Sequence, residues 1–128
     1  MSPDQQLIPK RKIKVPKAKL EAMFRQQRRF QARFYRLSDM TVSERQAYLQ
    51  LMLTCINVEQ VEALNWLSWK PWRKQVVSFN RYEFINELVD IQHFLINCLL
   101  AVGCTPRQFT KQFLNKGKEN VARQKRSY

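Results

Sequence analysis

Residues 84–102 read FINELVDIQHFLINCLLAV, and residues 53–69 read LTCINVEQVEALNWLSW. Both stretches are long and apolar, and each reads as a buried helix. Each also carries two carboxylates three residues apart and no other charge: Glu87 and Asp90 in the first, Glu59 and Glu62 in the second. A lone carboxylate taken out of water is costly or keeps its proton. Four of them on two core helices therefore call for cations, and the nearest basic residues in sequence lie outside both stretches. Residues three apart on a helix differ by about 60° around the axis, so each pair shares a face. Glu83 and Asn97 fall on the same side as Glu87 and Asp90. If the two stripes face each other, their oxygens converge. Hard cations such as Mg²⁺ choose oxygen, and Mg²⁺ keeps waters and shares substrate phosphates. The competing reading is solvated acids on exposed faces. One E-x-x-E is common by chance; two pairs in nearly uncharged helices favour metal.

Outward from these stretches the pattern stays helical. Residues 17–37 place Leu20, Met23, Phe24, Phe30, Phe34 and Leu37 at spacings of three and four, which predicts a helix. Gln27 falls inside that apolar stripe, and Arg25, Arg28, Arg29, Arg33 and Arg36 lie in part on the other face. Thr41-Val42-Ser43-Glu44 is a capping box that starts a second helix, running to about Asn65 with Tyr48, Leu51, Met52, Cys55 and Val58 inward. The segment from Trp66 to Trp72, WLSWKPW, is a turn or loop because of Pro71, and residues 75–80 are loop or a helix start. A third helix covers about Arg81 to Val102, and Gly103 stops it. Thr105-Pro106 opens a fourth, to about Lys116, and the last stretch reads as a short helix plus tail. No strand-like alternation stands out. The predicted fold is all-α, a bundle of four to five helices over residues 17–128, preceded by a basic disordered tail over residues 1–16.

Composition excludes several chemistries. Gly103 and Gly117 are the only glycines, so there is no Walker A loop and no GxGxxG turn. Cys55, Cys98 and Cys104 lack metal-ligand spacing and read as free thiols of a reducing compartment. No apolar run is expected to span a membrane and no signal peptide is visible, so a cytoplasmic protein is expected. The net charge of +13 divides into +9 over residues 1–38, −2 over residues 39–104 and +6 over residues 105–128. A basic shell around an acidic centre fits a metal-filled pocket with basic arms around a phosphorylated small molecule better than it fits simple coating of a duplex. The tail itself could attract nucleic acid, although a solvated tail is the plainer reading.

Three other side chains stand out. His93, the only histidine, reads first as a core or interface residue. Gln27, an amide in an aromatic stripe, is either a satisfied core amide or a reader of a pyrimidine edge, where it can both donate and accept. The tryptophans of WLSWKPW are core by default, or walls on which a base stacks. Lys70, Lys116 and Arg123 are candidate phosphate contacts.

Together, VEQVEALNWLSWKPW, ELVDIQHFLINCLLAVG and NKGKENVARQKRSY resemble the all-α NTP pyrophosphatases, the superfamily of dimeric dUTPases, T-even phage dCTPase-dUTPases and MazG-like enzymes. That family carries E-x-x-E on one helix, a W-K-x-W loop, E-x-x-D on the next helix, and a basic C-terminal motif. Here these are Glu59 and Glu62, then Trp69-Lys70-Pro71-Trp72, then Glu87 and Asp90, then Lys116, Asn120, Arg123, Gln124 and Tyr128. Gln27 stands where the family places a base-recognising glutamine. The resemblance covers about residues 20–128, with Gly117 replacing an asparagine and Ser127 a glycine. It implies a homodimeric, Mg²⁺-dependent hydrolase acting on a deoxynucleoside triphosphate, dUTP first with dCTP as the open alternative, to give the monophosphate and pyrophosphate. Glu59, Glu62, Glu87 and Asp90 would hold Mg²⁺, with Glu59 or Glu62 activating water. Lys70, Lys116, Asn120 and Arg123 would contact the substrate, Gln27 would read the base, and Trp69 or Trp72 would line its pocket. The alternative is a small basic helical protein that binds nucleic acid or protein and keeps the fold without catalysis.

Overall fold

Two reciprocal caps, an asparagine cap and one glycine set four of the eight helix ends. The computed structural model describes residues 15–127, with four α-helices: α1 (Lys19–Gln31), α2 (Val42–Leu64), α3 (Arg81–Ala101) and α4 (Pro106–Ser127). A single 3-10 turn, Leu37–Asp39, lies between α1 and α2. The all-α bundle expected from periodicity is the fold observed. Most of the tail assigned to residues 1–16, and Tyr128, lie outside the described residues.

At the start of α2, Thr41 Oγ1 accepts from the Glu44 amide at 3.1 Å, and the Thr41 amide donates back to the Glu44 carboxylate at 3.1 Å. These bonds favour the ionised form of Glu44 and hold its pKa below the usual carboxylate value. Asn80 caps α3 by accepting from the Glu83 amide at 3.1 Å. The other end of α3 closes in a Schellman motif. Gly103 has φ +70°, its amide donates to Leu100 O at 3.1 Å, and the Cys104 amide donates to Leu99 O at 2.9 Å. Thr105 and Gln108 then form a second reciprocal cap, with Pro106 in the first turn of α4.

Two boundaries differ from expectation. α1 ends at Gln31 rather than near Leu37, because tertiary bonds pull the chain off the helical path. Tyr48 Oη donates to Gln31 Oε1, and Tyr35 packs edge-on against Tyr48 at 4.9 Å between ring centroids. Arg45 then donates to Leu37 O at 3.0 Å and to Ala101 O at 2.9 Å. One guanidinium thus ties the 3-10 turn to the last turn of α3. At the other end of the chain, α4 continues past Lys116 to Ser127. No proline follows Pro106, Gly117 costs only about 1 kcal/mol in an exposed helix, and Lys125 and Arg126 suit the negative end of the helix dipole.

α2 and α3 form an antiparallel hairpin. Arg45 meets Ala101, Met52 meets Asn97 and Trp66 meets Glu87, so one number rises as the other falls. The connecting loop is pinned where the Val77 amide donates to Ser68 Oγ at 2.9 Å. The core is narrow: Tyr48, Met52 and Ala101, ringed by Tyr35, Leu37, Met40, Leu49, Phe94 and Cys98. Of the residues expected inward on α2, Tyr48 and Met52 are buried, whereas Leu51 and Val58 are half-exposed. Leu53, Val61, Leu88 and Val89 are exposed too, so each carboxylate helix buries one face and leaves an apolar one open. α4 lies outside the hairpin and touches α1. One reading needs correction: α3, with mean hydropathy 1.2 over its best 18-residue window, is long and apolar enough to cross a membrane by length and composition. Glu87 and Asp90 near its midpoint would make such a crossing expensive.

Replacing Arg45 by alanine removes two charge-assisted bonds to buried-end carbonyls and is expected to lower stability by about 2 kcal/mol. Thr41→Ala should cost about 1 kcal/mol. Urea unfolding of both variants checks the order; a loss for Thr41→Ala equal to or above that for Arg45→Ala would contradict the clamp.

Candidate active site

The antiparallel register carries Glu59, near the C-terminal end of α2, across to Glu87 and Asp90 in the N-terminal half of α3. One carboxylate oxygen from each lies within 4.8 Å of the other two. Glu62 stands near enough to Glu59 to act on it through its charge. Glu59 Oε2 is buried and has no hydrogen-bond partner among the described residues. Loss of water pushes the Glu59 carboxyl up to about 7; the neighbouring Glu62 and Glu87 carboxyls, and the charges of Glu62 and Asp90, push it the same way. A buried, unpartnered carboxylate oxygen among three other carboxylates matches an all-oxygen donor set for a hard divalent cation. The residues present therefore fit Mg²⁺, or another cation of that class.

Two further side chains bear on the cluster. Trp66 Nε1 donates to Glu87 Oε1 at 3.4 Å, and His93 Nδ1 stands 3.8 Å from Asp90 Oδ1. Trp66 entered the sequence reading only as the start of a loop, because nothing local marks a tryptophan as the partner of a carboxylate in the next helix.

A cavity of about 390 Å³ opens beside the carboxylates. That is within the range of small-molecule sites. α1 supplies Gln26, Gln27, Phe30 and Gln31; α2 supplies Glu59; α3 supplies Asp90, His93, Phe94 and Asn97. Gln27 is 6% exposed, and its Nε2 donates to Asn97 Oδ1 at 2.7 Å. Asn97 Nδ2 in turn meets Met52 Sδ at 3.4 Å. Gln27 is thus held by a side chain, not by backbone. Its Oε1 has no partner among the described residues and remains an acceptor at the cavity wall. Burial raises the Tyr48 pKa, so its phenol stays protonated and keeps Gln31 in place. The amides of Gln26 and Gln31 and the ring of Phe94 were not singled out from sequence. Only their distance from the carboxylates marks them, and that depends on how α1 docks.

The remaining expected contacts lie elsewhere. Trp69 and Trp72 pack edge-on at 6.0 Å in the loop after α2, with Lys70 Nζ 5.6 Å over the Trp69 ring. Trp69 and Lys70 line a separate cavity of about 220 Å³ there. Lys116 and Asn120 line an apolar groove of about 610 Å³ with Leu99, Val102, Phe109 and Phe113. Arg123 sits farther along α4. Within one chain, then, Gln27, Glu59, Glu62, Glu87 and Asp90 come together. Trp69, Lys70, Trp72, Lys116, Asn120 and Arg123 do not line the same cavity.

A family model described as dUTPase matches residues 19–116, from the first residue of α1 to the middle of α4. The chain belongs to this dUTPase family, within the all-α NTP pyrophosphatase superfamily. The match takes in all four carboxylates and Gln27, and stops before Asn120 and Arg123. A dCTP pyrophosphatase of Enterobacteria phage LZ5 is 32% identical over an aligned segment that is 47% of this chain and 41% of that relative. The chain thus aligns with less than half the length of the curated relative. No solved structure matches it.

The charge on Glu59 gives a pH signature. Its folded pKa lies above its unfolded value, so ionisation destabilises the metal-free fold as pH rises from about 4.5 through about 7. In chelator, Glu59→Gln should match the wild type near pH 4.5 and become the more stable of the two by pH 8. Denaturant unfolding at several pH values reads the difference; a constant gap across that range would refute it.

Proposed function

We propose that this chain is a divalent-metal-dependent deoxynucleoside triphosphate pyrophosphohydrolase, acting on dUTP and dCTP to release the monophosphate and pyrophosphate. The observation that carries the reading is the unpartnered Glu59 oxygen beside Glu87 and Asp90, at the edge of an amide-lined cavity. Family membership and the phage dCTP pyrophosphatase support it.

Glu59, Glu62, Glu87 and Asp90 hold Mg²⁺ on this reading. The cation supplies charge neutralisation on the triphosphate and acidifies water. Glu59, buried beside the other three acids, is the carboxylate that would accept a proton from the attacking water. Trp66 fixes Glu87 by its indole N–H. Gln27 offers Oε1 to a donor on the base. Uracil presents N3–H and cytosine its exocyclic amine, so one acceptor serves both pyrimidines. Phe30 and Phe94 supply apolar walls for the ring.

Lys70, Lys116, Asn120 and Arg123 are assigned to the phosphates, with Trp69 and Trp72 beside them. They reach the pocket only by closure of their segments or from a second copy. The open apolar faces of α2 and α3 favour a homodimer, in which those faces are covered. The phage relative fits a protein at work in host cytoplasm.

A panel of deoxynucleoside triphosphates with Mg²⁺, scored for pyrophosphate release, tests the activity. Turnover of dUTP and dCTP, but not of purine nucleotides, is expected, with loss in chelator. Glu87→Gln should lower kcat about 100-fold or more, and Gln27→Leu should raise KM. Full activity in a Glu59→Gln/Glu87→Gln double variant would sink the reading. Sedimentation should give twice the 15.4 kDa chain mass; a monomer at micromolar concentration would remove the dimer from it.

A further inference from the structure

The outer surface of α1 carries a second charge pattern, apart from the cavity. Of the +9 on residues 1–38, +6 falls on residues 17–38, where Lys17, Lys19 and five arginines face the single acid Glu21. Arg25, Arg28, Arg29, Arg33 and Arg36 are all exposed, and none is paired with a carboxylate among the described residues. Arg25, Arg28 and Arg29 lie within about 100° of one another around the helix. Arg33 and Arg36 continue the run through the turn that follows. Like charges at i,i+4, such as Arg25 and Arg29, disfavour the helix. The helix dipole accounts for Arg28 and Arg29 in the last turn of α1, but not for Arg25, Arg33 or Arg36.

The charge is also of one kind. Residues 20–69 contain six arginines and no lysine. The one arginine outside the exposed run, Arg45, is spent on backbone carbonyls. Solubility alone would be served by either residue; a planar guanidinium is the better match to phosphate oxygens and to the face of a base. The segment that carries these arginines also carries two aromatic rings. Phe30 and Phe34 meet edge-on at 5.3 Å and are 49% and 64% exposed. Phe30 belongs to the cavity wall, but Phe34 does not. Arginines and an exposed ring in one segment supply backbone neutralisation and a stacking platform, the chemistry of single-strand binding.

We infer that the outer face of α1 and the following turn, Arg25, Arg28, Arg29, Arg33 and Arg36 with Phe34, form a docking surface for single-stranded nucleic acid. The surface is built from residues 25–36 and does not depend on the hydrolase reading. Its fit is one of charge and stacking: arginines for the phosphodiester backbone, Phe34 for an unpaired base.

The test is fluorescence anisotropy of the full chain with labelled oligodeoxythymidine and oligouridine of 20 nucleotides, and with a duplex of the same length, over a salt series. Tight low-salt binding to either single strand is expected, with the two probes showing whether the sugar matters. Arg25→Ala/Arg28→Ala/Arg29→Ala should weaken it at least tenfold and reduce the log–log salt slope by about two, at about 0.7 per phosphate contact. Phe34→Ala should weaken binding without changing that slope. If the triple variant loses helicity, Arg33→Ala/Arg36→Ala, outside the helix, should weaken binding too and reduce the slope by about 1.4, two contacts at about 0.7 each. Unchanged affinity in these variants, equal affinity for the duplex, or no binding by the wild type would overturn the proposal. So would a change of oligomeric state in the variants, since a second copy of the chain would then be what covers this face.

Discussion

Glu59 holds one carboxylate oxygen out of water with nothing to bond it, while Glu62, Glu87 and Asp90 crowd the same space. That repulsion works against the pairing of α2 with α3 at the very end of the hairpin where the acids lie. The pairing must therefore be held from elsewhere. At the opposite end, Arg45 ties Ala101 and Leu37 together, and between the two ends Asn97 meets Met52 over the core of Tyr48, Met52 and Ala101. The hairpin is clamped at one end and electrostatically loaded at the other. Such a division is what a cation site requires, because a site that satisfied its own carboxylates would have no affinity left for the ion.

α1 closes the third side by polar rather than apolar means. Its buried residues are Phe24, Gln27 and Gln31, and the two amides reach Asn97 and Tyr48. Leucines in those places would bury more apolar area and hold α1 as firmly. They would leave no acceptor at the cavity wall. Buried amides are stable only in the register that satisfies them, so these bonds also fix the rotation of α1 on the hairpin. The rotation that turns Gln27 inward turns Arg25, Arg28 and Arg29 outward. The cavity and the arginine face are thus two consequences of one docking.

What could be read in the sequence was what depends on neighbours along the chain. The Thr41–Glu44 cap, the Gly103 stop and the three-residue spacing of the carboxylates are local, and each is found as expected. The end of α1 is not local: Gln31 is where Tyr48 and Arg45 draw the chain away, and no periodicity in residues 32–37 encodes that. The proximity of Glu59 to Glu87 and Asp90 needed the hairpin to be antiparallel and in register, which the short list of apolar residues on each helix could only suggest. Trp69, Lys70, Lys116, Asn120 and Arg123 share an order along the chain with the family motifs. Order along a chain carries no distance, and in a single chain these residues line other surfaces.

The same separation bears on how an anionic substrate could enter. On the proposed reading, a triphosphate approaches four carboxylates whose nearest nitrogen base is the half-exposed His93. Among the described residues, no lysine or arginine lines the cavity. Over distances inside the screening length, about 8 Å at physiological salt, the bare site repels the ligand it is meant to hold. Glu59 relieves part of that by retaining its proton below pH 7, at the expense of its own capacity as a ligand and base. On that reading the substrate would arrive with its charge already neutralised, and the basic segments on the loop after α2 and on α4 would act on a phosphate chain that extends beyond the acids. An acidic centre and basic residues that line separate cavities of one chain would serve a single reaction in a ligand long enough to span them, and a nucleoside triphosphate has that form.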